Sequence, residues 1–167
     1  MTRVYEGRVF SVDVGRQRFP NGTEHDVAIV RHRPSVVVLP VLDDGRIVLV
    51  RQFRPSLNRV LWELPAGSIE PEEPHEAAAV RECAEETRLM AARVERLAAY
   101  YPAPGFCDEL LVFFRATGLV AAGPASPYRA DDDEDIETRP FTVAEARAMV
   151  ARGEIDDLKT AFGLTLA

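Results

Sequence analysis

Three glutamates carry the first chemical signal in this chain. Glu82, Glu85 and Glu86 stand three and four residues apart in the run Arg81-Glu82-Cys83-Ala84-Glu85-Glu86. On a helix their carboxylates therefore project from neighbouring positions. Like charges so placed repel, at a cost of roughly a few tenths of a kcal/mol per exposed pair. A hard divalent cation reverses that sign, because Mg²⁺ takes oxygen ligands and keeps several of its waters. Arg81 adjoins the cluster and can pair with Glu85 on its own helix, or with Glu73 from the segment before it. On the helix alone, a solvated charged face is the plainer reading of such a run.

The wider spacing separates the two readings. Gly67 is followed after five residues by Glu73, and after seven more by Arg81-Glu82 and Glu85-Glu86. With each residue type at a few per cent usage, chance yields those six at fixed spacing on the order of 10⁻⁷ per start position. The pattern resembles the Nudix box, the signature of the Nudix hydrolase superfamily. The resemblance implies that Glu82 and Glu86 are the main metal ligands and that Glu85 is a further ligand or the general base. It also implies a ligand from the backbone carbonyl of Ala66, a loop-to-helix tie between Glu73 and Arg81, and backbone freedom at Gly67. The implied cofactor is Mg²⁺, with Mn²⁺ as the alternate ion. Two positions depart from the pattern. Cys83 stands where the box has a bulky aliphatic residue, and Arg88 stands where it has glycine. An arginine turned into the left-handed region there costs ~1–2 kcal/mol, unless the helix runs on.

The likeness extends beyond the box. Arg51-Gln52-Phe53-Arg54-Pro55, Glu63-Leu64-Pro65-Ala66-Gly67 and Pro102-Ala103-Pro104-Gly105-Phe106-Cys107-Asp108-Glu109 are similar to the ADP-ribose pyrophosphatase branch. This implies Mg-dependent hydrolysis of a nucleoside diphosphate sugar, with ADP-ribose leading and GDP-mannose as the alternative. A further alternative is a catalytically silent Nudix domain that senses a ligand, but a pure binder has no need of a repulsive acidic cluster. A domain whose helix is merely charged predicts no Mg²⁺ dependence.

The same resemblance assigns the remaining site. Arg54 and Arg51 are the expected substrate contacts, with Arg54 gripping the diphosphate bidentately; the plain reading of Arg54 is a surface salt bridge. Glu109 is expected to accept hydrogen bonds from ribose hydroxyls. Phe10 or Val9 is expected to pack on the nucleobase across a homodimer interface built by residues 1–34. In the acidic run 131–135, Asp132 and Glu134 compete with Glu85 for the role of base. Ala28 stands where ADP-ribose-specific relatives place a glutamate that helps read adenine, so turnover of a non-adenine sugar is also expected.

Composition sets the outer bounds. The 167 residues suit one domain, 1–167, with 47% apolar and 28% charged residues. A net charge of −7 argues against a nucleic-acid partner, which needs a basic face. No apolar run is long enough to span a bilayer as a helix, so no membrane partner is expected. The two cysteines make no disulfide framework, and the charged first ten residues contain no signal-peptide pattern. A cytoplasmic location follows as the expectation.

The elements that must hold these residues follow from pattern. Arg8–Gly15 and Glu24–Arg31 alternate around the turn Pro20-Asn21-Gly22, and Val36–Val41 suits a buried strand. Ser35–Leu42 and Arg46–Phe53 read as a hairpin about Asp43-Asp44-Gly45. A short strand follows at Val60–Leu64. A helix from Pro74 to about Thr87 is expected to turn Ala77, Val80, Ala84 and Thr87 inward and to leave its glutamates exposed. Strands are expected at Arg93–Tyr101 and Glu109–Thr117, and a loop over 121–135. Thr142 and Glu145 form a capping box, Gly153 closes that helix, and a last helix covers Asp156–Leu166. The fold class is α/β, an α/β/α sandwich of the Nudix type with a mixed sheet plus N-terminal antiparallel strands.

Overall fold

Alternation in one strand explains how the layers are built. In the computed structural model, which describes residues 1–123, 126–128 and 136–167, strand β4 (Ser35–Pro40) is buried along its whole length. Val36 and Val38 face one core, with Val112, Phe114, Ala78, Ala79 and Cys83. Val37 and Leu39 face the other, with Ile47, Leu49, Phe113, Phe141 and Met149. A strand covered on both sides must be apolar at every step.

Around β4 runs a mixed four-stranded sheet in the order β7 (Ala66–Ser68), β4, β9 (Leu111–Ala121), β8 (Leu89–Tyr100). The pairing of β4 with β9 is parallel, and the other two are antiparallel. Helix α1 (His75–Thr87) covers one face. The other face carries a second sheet, β10 (Glu137–Phe141), β5 (Ile47–Arg54), β6 (Arg59–Glu63), with helices α2 (Val143–Ala151) and α3 (Leu158–Gly163). The N-terminal strands β1 (Thr2–Glu6), β2 (Phe10–Arg18) and β3 (Glu24–His32) form a separate antiparallel sheet. The α/β sandwich with its added N-terminal strands is thus present.

Several expectations are corrected by packing. β4 and β5 do not form a hairpin: the chain turns tightly at 42–46, with one bridge between Val41 and Ile47, and the strands then enter different sheets. β4 is buried throughout and pairs with β7 and β9, whereas β5 is buried only over its first four residues and pairs with β10 and β6. Strands β1 and β7 carry no clear alternation and were not evident from pattern. The last helix is shorter than expected and starts at the Asp157 cap. Thr142 and Glu145 do form the reciprocal capping box, and Gly153 follows α2 with φ +73°.

The N-terminal sheet is tied to the rest through the Pro102–Glu109 segment. Val30 bridges Cys107, the Val30 N–H donates to the Phe106 carbonyl at 2.8 Å, and the Asp108 N–H donates to the Val30 carbonyl at 3.2 Å. Asp108 also accepts from the Arg31 side chain and the His32 N–H, each at 2.9 Å.

Candidate active site

The rotation of α1 about its axis decides where its carboxylates lie. Ala78, Ala79, Cys83 and Ala84 are buried against the mixed sheet. Ala77 is exposed and Val80 is half-buried, so the apolar face is turned from the expected one. The same rotation brings Glu82 and Glu86 down beside β7, with only 9% and 6% exposure. Their expected exposure is therefore corrected. Small residues at 78, 79, 83 and 84 let the helix lie close to the sheet, and Cys83 fits there as a small hydrophobe.

At the end of α1 the chain turns at Arg88, which adopts the left-handed conformation with φ 60° and ψ 24°. Its N–H donates to the Ala84 carbonyl at 3.1 Å. The departure from glycine is thus accommodated by backbone strain, with the helix ending where the box pattern ends it.

Gly67 holds β7 against the helix. A Cβ on Gly67 would lie 2.2 Å from the Glu82 carboxylate carbon. The neighbouring Ala66 N–H donates to Glu86 at 3.2 Å. Arg81 then locks loop to helix. Its Nε and Nη2 grip Glu73 bidentately at 2.9 Å each, and Nη2 also donates to the Ser68 carbonyl at 3.0 Å. Its Nη1 reaches Glu82 at 2.6 Å and Glu85 at 2.9 Å. Hydrogen bonding to Glu73 is the main cause that raises the Arg81 pKa further above its already high value. The Arg81 guanidinium in turn holds the Glu73 carboxyl below the usual carboxylate range. Both partners that the sequence suggested for Arg81, Glu73 and Glu85, are used at once.

Three carboxylates, Glu73, Glu82 and Glu85, share the one Arg81 guanidinium, which leaves a negative surplus around it in a half-buried place. The donor set is hard oxygen, suited to Mg²⁺ or a similar divalent ion. Among the described residues, no three acidic, histidine or cysteine side chains are gathered about one point. A carboxylate accepts at several lone pairs together, so its bond to Arg81 or Ala66 is compatible with a metal contact. The glycine cradle that a Cβ would fill is likewise compatible with a metal ion at Glu82.

These residues open onto a cleft of about 610 Å³, lined by Arg54, Ala66, Gly67, Glu82, Glu85 and Glu86, and also by Arg8, Val9 and Arg33. Arg8, Val9 and Arg33 also line a second hollow of about 390 Å³, with Phe10, Arg31 and His32. Phe10 is thus placed beside the cleft rather than in it, tilted against Tyr5 with ring centroids 5.4 Å apart.

Arg54 lines the cleft and is also ion-paired. Its Nε and Nη2 donate to Glu63 at 2.7 and 2.5 Å. Glu63 is 1% exposed while the Arg54 side chain is 36% exposed, so the pair is half-buried, with the arginine facing the cleft, and is not a bridge between two surface side chains. Glu109 accepts from the Ser35 hydroxyl at 2.9 Å and stands 3.6 Å from His32 Nδ1. It is not among the residues lining the cleft. Arg51 points elsewhere: it pairs with Glu137 on β10 at 3.1 Å and does not line the cleft. Asp132 and Glu134 lie outside the described residues.

Sequence reasoning missed Arg8 and Arg33 as cleft residues. They flank strands at positions with no periodic or motif signal, and only the fold of the N-terminal sheet brings them there. It also missed Lys159, whose signal was available: it is the single lysine in a chain with 20 Lys and Arg together.

The box geometry and the layered fold agree with comparison to known proteins. Residues 31–161 match the NUDIX domain family, and the chain belongs to it. It is a Nudix hydrolase. Over 97% of this chain and 86% of the relative, it is 36% identical to ADP-ribose pyrophosphatase from Bacillus subtilis (strain 168). It is 32% identical to a GDP-mannose pyrophosphatase from Citrobacter koseri (strain ATCC BAA-895 / CDC 4225-83 / SGSC4696), covering 79% of this chain and 75% of that one. A crystal structure of an ADP compounds hydrolase shares the fold, with a TM-score of 0.82 over 99% of this chain and 88% of that one at 22% identity.

Proposed function

We propose that this protein hydrolyses ADP-ribose to AMP and ribose 5-phosphate, using Mg²⁺ or, as the alternate ion, Mn²⁺. The observation that carries the reading is the junction of two hollows at Arg8, Val9 and Arg33. One hollow holds the acidic box and Arg54, and the other holds Phe10 and His32. That two-part groove suits a diphosphate with a moiety at each end. The 36% identity to an ADP-ribose pyrophosphatase supports the same substrate class.

Glu82, Glu86, Glu85 and the Ala66 carbonyl are the residues that would hold the divalent ion. When bound, the ion neutralises diphosphate charge and lowers the pKa of a coordinated water. The protein's own side chains do the rest. Arg81 keeps Glu82 and Glu85 oriented, and Arg54 binds a phosphate oxygen. Phe10 offers an aromatic face for the base, in cis or from a second subunit. Glu109, oriented by Ser35 and adjoining His32 of the second hollow rather than lining the cleft itself, is the proposed acceptor for ribose hydroxyls. Glu85 is the most exposed of the three box glutamates and is the described candidate for the base, beside Asp132 and Glu134.

GDP-mannose is the second reading. Ala28 lines a separate hollow of about 330 Å³ with Gln17, Phe19 and Phe106, so position 28 supplies no carboxylate to read adenine. The GDP-mannose pyrophosphatase relative favours the same alternative. A homodimer through residues 1–34 is supported by exposed Val4, Tyr5, Val9 and Phe10 on the N-terminal sheet and its turn. Cytoplasmic location is supported by the two free cysteines.

A substrate panel tests the function. ADP-ribose, GDP-mannose, a diadenosine polyphosphate and a nucleoside triphosphate are compared by kcat/KM, with products resolved by chromatography. ADP-ribose should lead, with measurable turnover of at least one non-adenine sugar. Light scattering at micromolar concentration tests assembly, and a monomer there contradicts the dimer.

A further inference from the structure

The cleft arginine is held from behind by a chain of charges that ends on the C-terminal helix. Glu63 closes β6, is 1% exposed, and accepts both Nε and Nη2 of Arg54. The same Glu63 oxygen that takes Arg54 Nη2 also accepts from Lys159 Nζ. Lys159 Nζ donates in addition to Asp157 at 2.9 Å. Asp157 is itself fixed, because its carboxylate accepts the Thr160 N–H at 3.0 Å and the Thr160 hydroxyl at 2.6 Å. Thr160 closes the circuit by accepting the Leu64 N–H at 2.8 Å, next to Glu63 in sequence.

We propose that Lys159 is a positioning residue of the cleft, acting through Glu63 to fix Arg54 and to offset the carboxylate charge behind it, so that Arg54 can bind a phosphate-bearing ligand. The inference rests on the diphosphate reading of the cleft given above. Three observations support it.

The first is geometric. Two N–H groups of Arg54 are spent on Glu63, and its Nη1 makes no hydrogen bond among the described residues. Arg54 nevertheless lines the cleft. A guanidinium gripped along one edge presents its other edge in a fixed orientation, and less conformational entropy is lost when an anion binds there.

The second is charge balance. Arg54 and Lys159 balance Glu63 and Asp157 two for two, and Asp157 acts on Arg54 through space as well. Without Lys159, Arg54 alone would face both carboxylates, and its attraction for an anion in the cleft would be cancelled.

The third is residue choice. The chain carries 20 Lys and Arg together, and 159 is its one lysine. Its side chain is only 14% exposed. A compact ammonium with rotatable donors can sit between two carboxylates where a planar fork fits poorly.

The plain alternative is a salt bridge that only fastens α3 to β6. The two roles differ in a double-mutant cycle. Lys159→Met should lower kcat/KM on ADP-ribose by about tenfold, the size of one weakened charge-assisted contact. The main effect should fall on the Kd of a non-hydrolysable analogue, α,β-methylene ADP-ribose. Once Arg54→Ala is in place, adding Lys159→Met should change kcat/KM by less than about twofold. Should Lys159→Met fail to fold, Lys159→Gln takes its place in the cycle, with melting temperature recorded for each variant. Equal factors in the two backgrounds would mean that Lys159 does not act through Arg54, and would overturn the inference.

A spectroscopic readout is independent of turnover. The sole lysine gives one side-chain ¹⁵Nζ signal, which should shift when the analogue is added to wild type and not when it is added to Arg54→Ala. An unmoved signal in wild type also overturns the inference. The two readings fail separately. A wild type inert towards ADP-ribose sinks the substrate reading, and the lysine signal read against magnesium pyrophosphate then decides the role of Lys159 by itself.

Discussion

Gly67 and Glu82 approach so closely that a single added carbon on the glycine would fall 2.2 Å from the carboxylate carbon. The missing side chain at 67 therefore sets the position of a candidate metal ligand. Gly67→Ala should leave the fold intact, since the atoms displaced are the end of one side chain. It should weaken metal affinity and cut kcat by about 10² or more, equal to about 2.7 kcal/mol of transition-state stabilisation. Calorimetric Mg²⁺ titration and steady-state kinetics on one preparation check this. Wild-type values in both would contradict it.

Arg88 offers the opposite test, one of stability without function. Its left-handed backbone closes α1, at φ 60°. Arg88→Gly should relieve about 1 kcal/mol of strain, partly offset by the greater freedom of glycine in the unfolded chain. The melting temperature should rise by about 2–4 °C per kcal/mol gained, with kcat unchanged. A fall in melting temperature would show that Arg88 makes a compensating contact.

Acid should loosen the loop-to-helix tie. Hydrogen bonding from Arg81 lowers the Glu73 pKa below its ordinary 4.5. For Glu63, burial pushes the carboxyl up, but Arg54 and Lys159 outweigh it and the net shift is also downward. A depressed folded pKa means that the unfolded state binds protons first. The stabilisation is complete above about 4.5 and is lost as pH falls through the lower folded values. Denaturant midpoints between pH 7 and pH 3 should therefore drop most steeply at the acid end. Glu73→Gln removes one of these titrations and should flatten the slope, and an unchanged slope would contradict the assignment.

The two cysteines should behave differently. Burial in the α1 core raises the Cys83 thiol to about 11, which leaves almost no thiolate at pH 8. Cys107 is half-buried in the loop that carries the N-terminal sheet. Iodoacetamide at pH 8 should label Cys107 in the native protein and Cys83 only after unfolding. Mass spectrometry of native and denatured samples reads this directly. Rapid native labelling of Cys83 would contradict its placement.

What the sequence revealed depended on the range of the interaction. The box was legible because Glu73, Arg81, Glu82, Glu85 and Glu86 meet across one loop and one helix, where spacing alone fixes neighbours. The capping box at Thr142 and Glu145 was legible for the same reason. The orientation of α1 was not, because four small residues leave only a weak apolar stripe, and the sheet beneath chooses which face is buried. Long-range pairs were hidden as well. Glu63 meets Lys159 across 96 positions, and nothing in a local pattern announces it. The expected hairpin at Asp43-Asp44-Gly45 failed because a turn signal reports where the chain reverses, and not which sheet each strand joins.

The most direct test is a product assay on ADP-ribose with and without Mg²⁺, run beside a nucleoside triphosphate and the Glu82→Gln and Glu86→Gln variants. Both glutamates are buried beside β7, so each substitution removes a proposed ligand and also perturbs a hydrogen bond, to Arg81 or to the Ala66 amide. AMP and ribose 5-phosphate should appear only with the divalent ion, and each variant should lose at least ~10² in kcat. Metal-independent turnover, or a triphosphate preferred about tenfold in kcat/KM, a difference of about 1.4 kcal/mol, would contradict the account.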